Sequence, residues 1–199
     1  MSLPFSQACE NNKQPILTVL QNVFADRTQV LEVGSGTGQH AVHFAPALAH
    51  LMWQTSDLEH NHAGINSWID SQPSDNLRRP VIFDLSAPNW PGEFDAVYSA
   101  NTTHIVSWPL VQNLFHEVGR QLPAEGVFAL YGPFNYNGQF TSESNAAFDQ
   151  MLRQRDPSSG IRAIEDLIEL AQRHDLHLQA DHAMPANNRL LIWIKRPHE

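Results

Sequence analysis

Three glycines at alternate positions, Gly34, Gly36 and Gly38, constrain the fold of this chain more than any other feature of its sequence. They follow a short apolar run at residues 30–33 and precede an amphipathic segment that begins near Gln39. Glycine permits sharp bends and close backbone approach, and the first N–H groups of a helix point outward as donors. A strand, a glycine turn and a helix N-terminus in this order predict a site for a nucleotide-like ligand.

The spacing of the glycines narrows the kind of ligand. It is G-x-G-x-G, whereas a typical dinucleotide site has G-x-G-x-x-G, so a nicotinamide-dependent oxidoreductase is disfavoured. Glu32 stands two positions before Gly34, and the pattern E-x-G-x-G-x-G resembles motif I of the class I S-adenosylmethionine (SAM) methyltransferases. The resemblance implies a loop that wraps the amino-acid end of SAM. The loop alone leaves open another nucleotide ligand or a tight turn without a ligand.

Apolar runs typical of strands alternate with segments of helical periodicity along the chain. Strands are predicted at 29–33, 51–57, 80–85, 94–101 and 126–132, and helices at 38–49, 63–71 and 108–122. This alternation indicates a parallel sheet with helices on both faces. Later helices at 142–155 and 161–174 lead to strands at 176–182 and 190–194, a return that resembles the antiparallel seventh strand of the methyltransferase sheet. We expect an α/β, Rossmann-like class I methyltransferase fold with seven mostly parallel strands.

Two acidic residues close predicted strands beyond the glycines. Asp57 lies 23 positions after Gly34, where an acidic side chain can accept hydrogen bonds from ribose hydroxyls. The alternative is a helix N-cap, since aspartate is a good cap. Asp84 ends the third predicted strand and either receives an adenine amino group or caps the loop before Pro88. Asp95, at the start of the fourth strand, is predicted to be structural.

Composition limits the partners. The formal net charge of −9 argues against a nucleic-acid backbone, because phosphate contacts need clustered lysine and arginine. One cysteine excludes an intrachain disulfide and suits a reducing compartment, and no window approaches a membrane span. We therefore expect a cytoplasmic protein with neither a membrane nor a nucleic-acid partner. Eleven histidines lack an accompanying cysteine cluster or His-Glu-x-x-His sequence, so we expect no metal site.

The chain has no internal repeat, low-complexity segment or linker, which predicts a single domain over residues 1–199. Residues 1–14 are polar and lack a helical period, so they are expected to form a frayed tail or a lid. Pro15 is predicted to open the first helix, since its missing N–H costs nothing at that position.

Over its whole length the sequence resembles the methyltransferase-like 26 family, a group with the SAM-dependent methyltransferase fold. The segments that carry the likeness are residues 10–17, 36–45, 95–101, 104–105, 130–134, 144–149 and 184–188. The resemblance implies SAM as cofactor, held at Glu32, Gly34, Gly36, Gly38, Asp57 and Asp84. Cys9 departs from the family pattern, where an arginine is expected before the asparagine. The resemblance to this family implies no particular substrate.

Four polar or aromatic residues are candidates for the acceptor pocket: Asn101, His104, Tyr131 and Asn187. They follow or end predicted strands, and ligands in such sheets lie outside the carboxyl ends of the strands. An imidazole of near-neutral pKa could take a proton from an acceptor hydroxyl or amine. The alternatives are a hydrogen-bonded histidine in a turn, a core tyrosine and an ordinary turn asparagine.

We expect Asn101, His104 and Tyr131 to be catalytic, with Asn101 also touching the cofactor. Tyr131 and Asn187, together with Asn11 and Lys13 from a folded-over lid, are expected to bind the substrate.

The sequence thus predicts a SAM-dependent methyltransferase that transfers a methyl group by in-line displacement to an acceptor, most simply a small molecule. Residues 101–104 (Asn-Thr-Thr-His) do not resemble the Asn-Pro-Pro-aromatic signature of DNA amino methyltransferases. Because the sulfonium methyl is already activated, the absence of a nucleophilic triad is no objection. The alternative is a SAM-binding regulatory or interaction protein without turnover. The oligomeric state is not predicted.

Overall fold

The computed structural model of this protein describes residues 3–197, so the four terminal positions of the expected 1–199 domain lie outside the described residues. The chain divides into two compact units, Met1–Ser99 and Ala100–Glu199. Among residues 3–197, no helix is long and apolar enough to cross a membrane.

The first unit carries the glycine segment between two of its parallel strands. Its elements are α1 (Gln7–Val23), β1 (Gln29–Glu32), α2 (Gln39–Ala47), β2 (Met52–Asp57), a 3-10 turn (Glu59–Asn61), α3 (His62–Ser71), β3 (Leu77–Ile82) and most of β4 (Ala96–Ala100). β1 pairs in parallel with β2 and with β4, and β2 pairs in parallel with β3. The predicted structural role of Asp95 is confirmed, since its carboxylate accepts from the N–H groups of Thr28 and Gln29 at 2.9–3.0 Å.

The second unit ends in two long antiparallel strands. Its elements are α4 (Trp108–Gln121), β5 (Val127–Gly132), β6 (Phe134–Asn135), α5 (Glu143–Arg155), β7 (Arg162–Ala163), α6 (Ile164–Gln172), β8 (Leu176–Met184), a 3-10 turn (Pro185–Asn187) and β9 (Asn188–Lys195). β9 is antiparallel to both β5 and β8, and β6 and β7 form a separate two-stranded pair.

The seven long strands form one sheet in the order β3-β2-β1-β4-β5-β9-β8. The predicted fold class is confirmed: the sheet is mostly parallel, its last strand is antiparallel, and helices surround it. Strands such as β1 and β5 are almost wholly buried, which explains their continuous apolar runs. Edge-to-face aromatic contacts fill the two cores, around Phe44 and Tyr98 in the first unit and around Phe115 and Trp193 in the second.

The first helix begins at Gln7, so the prediction that Pro15 opens it is wrong, and residues 7–14 are helical instead of frayed. The Ser6 hydroxyl caps the helix by accepting from the Cys9 N–H at 3.3 Å. Pro15 lies inside α1, where a proline costs about 3 kcal/mol because it removes a backbone hydrogen bond. Tertiary contacts of the first two turns, described below, offset this cost.

The third strand runs from Leu77 to Ile82, three residues earlier than predicted. The Asn76 side-chain amide fixes its start by donating to the carbonyls of Ala45 and Leu51, each at 2.7 Å. β3 is the edge strand of the sheet, and an edge strand accommodates Pro80. Pro80 is therefore a strand residue here and not the start of the strand.

Candidate functional site

The three glycines form a loop with positive φ angles between β1 and α2. Gly34, Gly36 and Gly38 have φ values of 77°, 60° and 93°, which residues with a side chain rarely adopt. A Cβ atom at Gly38 would also lie 3.1 Å from the Cα of Ile65, so close packing of α3 requires glycine there. The loop is held by backbone bonds, including the Gly38 N–H to the Ser35 carbonyl at 2.9 Å.

Gly36 differs from Gly38 because none of residues 3–197 packs closely against it. A Cβ atom placed there would meet no atom of the described residues within 4 Å. The Gly36 N–H donates to Asp57 Oδ2 at 2.8 Å, which ties the loop to the end of β2. The loop is thus fixed in shape while the space beside Gly36 stays open for close approach by a ligand.

Asp57 is nearly buried, and its carboxylate accepts three hydrogen bonds. Besides the Gly36 amide, the donors are the Leu58 N–H at 2.7 Å and the Asn61 side-chain amide at 3.0 Å. Two carboxylate oxygens offer about four lone-pair positions, so at least one remains for a ligand hydroxyl. Asp57 does not cap α3, because the N-cap residue of that helix is Asn61. Leu58, which sequence reasoning missed, is an exposed apolar side chain directly beside it.

Glu32 lies at the end of β1 and is 2% exposed. Burial raises the pKa of its carboxyl to about 7, and the nearby negative charge of Asp57 adds to the rise, while hydrogen bonds from Ser35 and Trp53 oppose it. The Trp53 indole N–H donates to Glu32 Oε1 at 3.3 Å. Glu32 is therefore an internal group behind the glycine loop, able to lose or gain a proton near neutral pH.

Asp84 does not end a strand, since β3 stops at Ile82. Its carboxylate accepts from the Ser86 N–H at 2.9 Å and the Ser86 hydroxyl at 2.7 Å, and these bonds lower its pKa. The loop-capping alternative is present, and the partly exposed carboxylate keeps further lone pairs for a ligand amine.

The N-terminal turns of α1 are fastened to the start of α2 through Gln39. Its side-chain oxygen accepts from the Ser6 N–H at 2.7 Å and from the Thr37 hydroxyl at 2.9 Å. Its side-chain nitrogen donates to Glu10 Oε1 at 2.9 Å. Cys9 is half-buried here; burial raises the pKa of its thiol, against the lowering effect of hydrogen bonds with Ser6 and Thr37. One glutamine thus joins α1 to the residue between the last two glycines.

A second connection joins α1 to the sheet through a buried histidine. Asn12 Oδ1 lies 2.7 Å from His40 Nε2, and the Tyr98 hydroxyl lies 3.0 Å from His40 Nδ1. Because the Asn12 oxygen can only accept, Nε2 carries the proton and Nδ1 accepts from Tyr98. Burial lowers the pKa of His40 to about 4, so the ring is neutral.

Sequence reasoning named the neighbours of Asn12 and missed Asn12 itself. Asn11 is exposed and accepts from the Gln7 amide, while Lys13 pairs with Glu10 at 2.5 Å. A buried asparagine on a polar segment has no sequence signature; the only available signal was the periodicity of a helix that had been predicted to start later.

In the second unit, the backbone of Asn101 and the side chain of His104 lie close to the end of β5, at Tyr131 and Gly132. The Asn101 N–H donates to the Tyr131 carbonyl at 3.0 Å, and Asn101 has a φ of 55°. His104 Nδ1 lies 3.6 Å from the position of a Cβ atom on Gly132, the residue after Tyr131. Tyr131 is 2% exposed, in line with the core alternative.

His104 is not the near-neutral imidazole that the sequence suggested. It is 3% exposed, packs against the Phe148 ring, and has a pKa lowered to about 4 by burial and by the positive charge of Arg162. Its Nδ1 atom has no hydrogen-bond partner among residues 3–197. His104 is therefore a neutral acceptor or donor and a weak base.

Asn187 lies in the turn between β8 and β9. It lines a cavity of about 320 Å³ together with Tyr136, Thr141, Ala183, Met184, Asn188 and Arg189. Asn101, His104 and Tyr131 do not line this cavity. Within the described part of the chain, no group of three or more histidine, cysteine, aspartate and glutamate side chains could hold a metal ion.

The chain matches one family of sequences and resembles several solved structures of methyltransferases. A model of the family described as "Protein of unknown function (DUF938)" matches residues 3–195. Human N-acetylserotonin methyltransferase in complex with SAM is 11% identical, with a TM-score of 0.81 over 96% of this chain and 53% of that protein. An O-methyltransferase family 2 protein from Planctomyces limnophilus, in complex with apigenin, is 15% identical, with a TM-score of 0.81 over 94% of this chain and 57% of that one.

The O-methyltransferase NcsB1 from neocarzinostatin biosynthesis, bound to SAM and 2-hydroxy-5-methyl naphthoic acid, is 16% identical. Its TM-score is 0.77, over 94% of this chain and 54% of NcsB1. The chain thus spans little more than half the length of these solved structures. At such identities the likeness establishes the methyltransferase fold and nothing finer.

Proposed function

The chain belongs to the DUF938 family, and we propose that it is a SAM-dependent methyltransferase acting on a small-molecule acceptor. The observation that carries the proposal is the glycine loop, whose Gly36 amide is fixed on Asp57 while the space beside Gly36 stays open. The solved structures of this fold that contain SAM support the cofactor. The resemblance to the methyltransferase-like 26 family belongs to this proposal too.

The residues of the first unit fit SAM in chemical type. Gly34, Gly36 and Gly38 would let its amino-acid end approach the backbone, and the free lone pairs of Asp57 would accept from ribose hydroxyls. We assign Asp84 to the adenine amino group. SAM, when bound, supplies a methyl group already activated on its sulfonium. The protein then has chiefly to align the acceptor and exclude water, which contributes up to roughly 7–11 kcal/mol in well-oriented systems.

The buried Glu32 would balance positive charge behind the loop. SAM carries positive charge at its sulfonium and amino group. A cation that binds near Glu32 would lower the pKa of this carboxyl from about 7 and so favour its ionised form. We therefore assign Glu32 to electrostatic support of the cofactor.

We propose that the first two turns of α1 cover the cofactor site as a lid. Gln39 and His40 hold these turns in place, and Pro15 interrupts the hydrogen bonding of α1 just beyond them. A proline inside a helix is the usual point of bending. The lid would present Asn11 and Lys13, the two substrate-binding candidates of this segment.

Asn101, His104 and Tyr131, all in the second unit, remain our candidates for catalytic residues. The unpaired, buried His104 Nδ1 supports a hydrogen-bonding role for this side chain. Its pKa of about 4 argues against a stored proton, so the acceptor's proton would pass on to solvent. The net charge of −9 supports a small molecule over a nucleic acid as acceptor.

The cofactor assignment is tested by comparing Gly36→Ala with Gly138→Ala. Both glycines have positive φ, 60° and 73°, and neither would place a Cβ atom within 4 Å of another described atom. Each substitution should cost about 1–2 kcal/mol of backbone strain. Only Gly36→Ala should also lower the affinity for S-adenosylhomocysteine, by about tenfold or more, as measured by calorimetry.

Equal affinity of the two variants, or no binding by the unmodified chain, would refute the cofactor assignment. Turnover is tested separately by following the conversion of SAM to S-adenosylhomocysteine with fractionated metabolites. Tight binding without conversion in any fraction would favour the alternative, a SAM-binding protein without turnover.

A further inference from the structure

The cavity at the turn between β8 and β9, which we call the hairpin pocket, has a defined place in the second unit. β9 pairs with β5 so that Arg189 lies opposite Gly132, and with β8 so that Asn188 lies opposite Met184. The pocket therefore opens at the carboxyl ends of β5 and β8, where α/β sheets bind their ligands. Its volume of about 320 Å³ suits a molecule of one or two rings.

The charged groups of the pocket neutralise one another. The Arg189 guanidinium donates to Asp181 Oδ1 at 2.7 Å, and the Tyr136 hydroxyl donates to Asp181 Oδ2 at 2.7 Å. Burial and the contact with Asp181 raise the pKa of Tyr136, against a lowering effect of Arg189, so its ring stays an uncharged phenol. With one cation paired to one anion, the pocket offers no unpaired charge to a ligand.

The remaining lining is apolar, apart from a few groups at the rim. Met184, Ala183 and the Tyr136 ring form walls on which a flat ring can pack, and thioether and aromatic surfaces favour such contacts. The side-chain amide of Asn187 makes no hydrogen bond with any residue in 3–197, so it is available to a ligand. Thr141 accepts from Asn145 at 3.0 Å and keeps its own O–H for donation.

A buried asparagine fixes the rim of the pocket. Asn145 is 5% exposed, and its side-chain nitrogen donates both to the Thr141 hydroxyl and, at 3.2 Å, to the Asn187 carbonyl. One amide thus joins two lining residues that are 46 positions apart in sequence (187 − 141). Ala186 and Asn187 have φ values of 57° and 60°, so the turn is held in a conformation that such residues seldom adopt.

From these features we propose that the hairpin pocket binds an uncharged aromatic ring bearing a hydroxyl group, with the ring between Tyr136 and Met184 and the hydroxyl at Asn187. In the context of the proposed function, on which this inference rests, such a phenol is the class of methyl acceptor. The new O–CH₃ bond would form as the bond between the methyl group and the sulfonium sulfur of SAM breaks; S-adenosylhomocysteine would be the leaving group and the O–H proton would pass to solvent.

The test uses 2-naphthol, which is uncharged at pH 7, and 2-naphthoate, which has the same rings and carries a negative charge. Calorimetry without SAM should show that the chain binds 2-naphthol and binds 2-naphthoate at least about tenfold more weakly, because no free cation compensates its charge. Ala183→Phe, at an exposed position of β8, should fill the pocket and abolish binding of 2-naphthol.

Asn187→Gly and Ala186→Gly form a matched pair at adjacent positions of positive φ. Glycine accepts this conformation at both, so neither variant should misfold. Asn187→Gly removes the amide and should weaken 2-naphthol binding about three- to tenfold. Ala186→Gly removes only a methyl group outside the pocket and should leave binding unchanged.

Three results would overturn the inference: equal or tighter binding of 2-naphthoate, equal effects of the two glycine variants, or unchanged binding by Ala183→Phe. Its failure is distinguishable from failure of the proposed function. Binding of 2-naphthol by a chain that does not bind S-adenosylhomocysteine would support the pocket and remove the methyltransferase, and the reverse pair of results would remove the pocket alone.

Discussion

Replacing Asp57 with alanine separates the two roles that we assign to its carboxylate. One role is visible in the structure, where the carboxylate accepts from the Gly36 N–H, the Leu58 N–H and the Asn61 amide. The other is the proposed acceptance of hydrogen bonds from ribose hydroxyls. Both roles predict weaker cofactor binding, so affinity alone cannot tell them apart. A cofactor analogue that lacks the relevant hydroxyl can.

The expected magnitudes follow from the hydrogen bonds involved. Losing the three internal bonds should cost about 1–3 kcal/mol of stability, since the freed Gly36 and Leu58 N–H groups are partly open to water. For a chain of this length the melting temperature should fall by roughly 2–4 °C per kcal/mol. One charge-assisted bond to a ribose hydroxyl contributes about 1.5–3 kcal/mol, or about 10- to 150-fold in affinity.

The assay is a double cycle of two proteins and two ligands, measured by calorimetry. The unmodified chain should bind 2′-deoxy-S-adenosylhomocysteine about 10- to 150-fold more weakly than S-adenosylhomocysteine, whereas Asp57→Ala should bind the two within about threefold. Asp70→Ala, on the exposed side of α3, is the control and should match the unmodified chain. If deletion of the 2′-hydroxyl costs the same in both proteins, Asp57 acts only through the loop and the ribose assignment is wrong.

Three further outcomes follow from the first unit. Asn12→Ala should lose about 1–3 kcal/mol of unfolding free energy, because the buried His40 Nε2–H loses its hydrogen-bond acceptor. Asn11→Ala, at an exposed position, is the control and should change the unfolding free energy by less than about 0.5 kcal/mol. Urea unfolding measures both. The pKa of His40 in the folded chain is about 4, below its usual value, so the unfolded chain binds more protons and the free energy of unfolding falls by about 2 kcal/mol from pH 7 to 5. The pKa of Glu32 in the folded chain is raised to about 7, so over the same range this residue increases the free energy of unfolding by about 2 kcal/mol. His40→Gln should therefore gain relative to the unmodified chain on acidification and Glu32→Gln should lose, and parallel profiles would contradict both pKa shifts. S-adenosylhomocysteine should slow maleimide labelling of Cys9, the only cysteine, if the proposed lid closes; an unchanged rate would argue against the lid.

The glycine loop and the acid beyond it were predictable because their signals are local. A backbone with positive φ at three alternate positions favours glycine at Gly34, Gly36 and Gly38, so the requirement is visible within five consecutive residues of the sequence. The same holds for the buried strands, whose continuous apolar runs result from cover on both faces. The start of β3 was misplaced at Pro80 because a proline is tolerated inside a strand only at an edge. Edge position depends on strand order, which is a property of the whole sheet.

The contacts of α1 and the hairpin pocket depend on partners far apart in the chain, and this is why sequence reasoning missed them. Asn12 is buried because His40, 28 residues later, needs an acceptor for its Nε2–H, and nothing near Asn12 in sequence announces that need. The pocket likewise depends on Asn145, which joins Thr141 to a carbonyl in the turn after β8. In both places a single amide bridges segments that an apolar pattern would treat as separate. A buried polar group of this kind needs hydrogen-bond partners, so the residues that bind it are fixed in position. These two places, which an apolar pattern describes least well, are where we place the lid and the acceptor pocket.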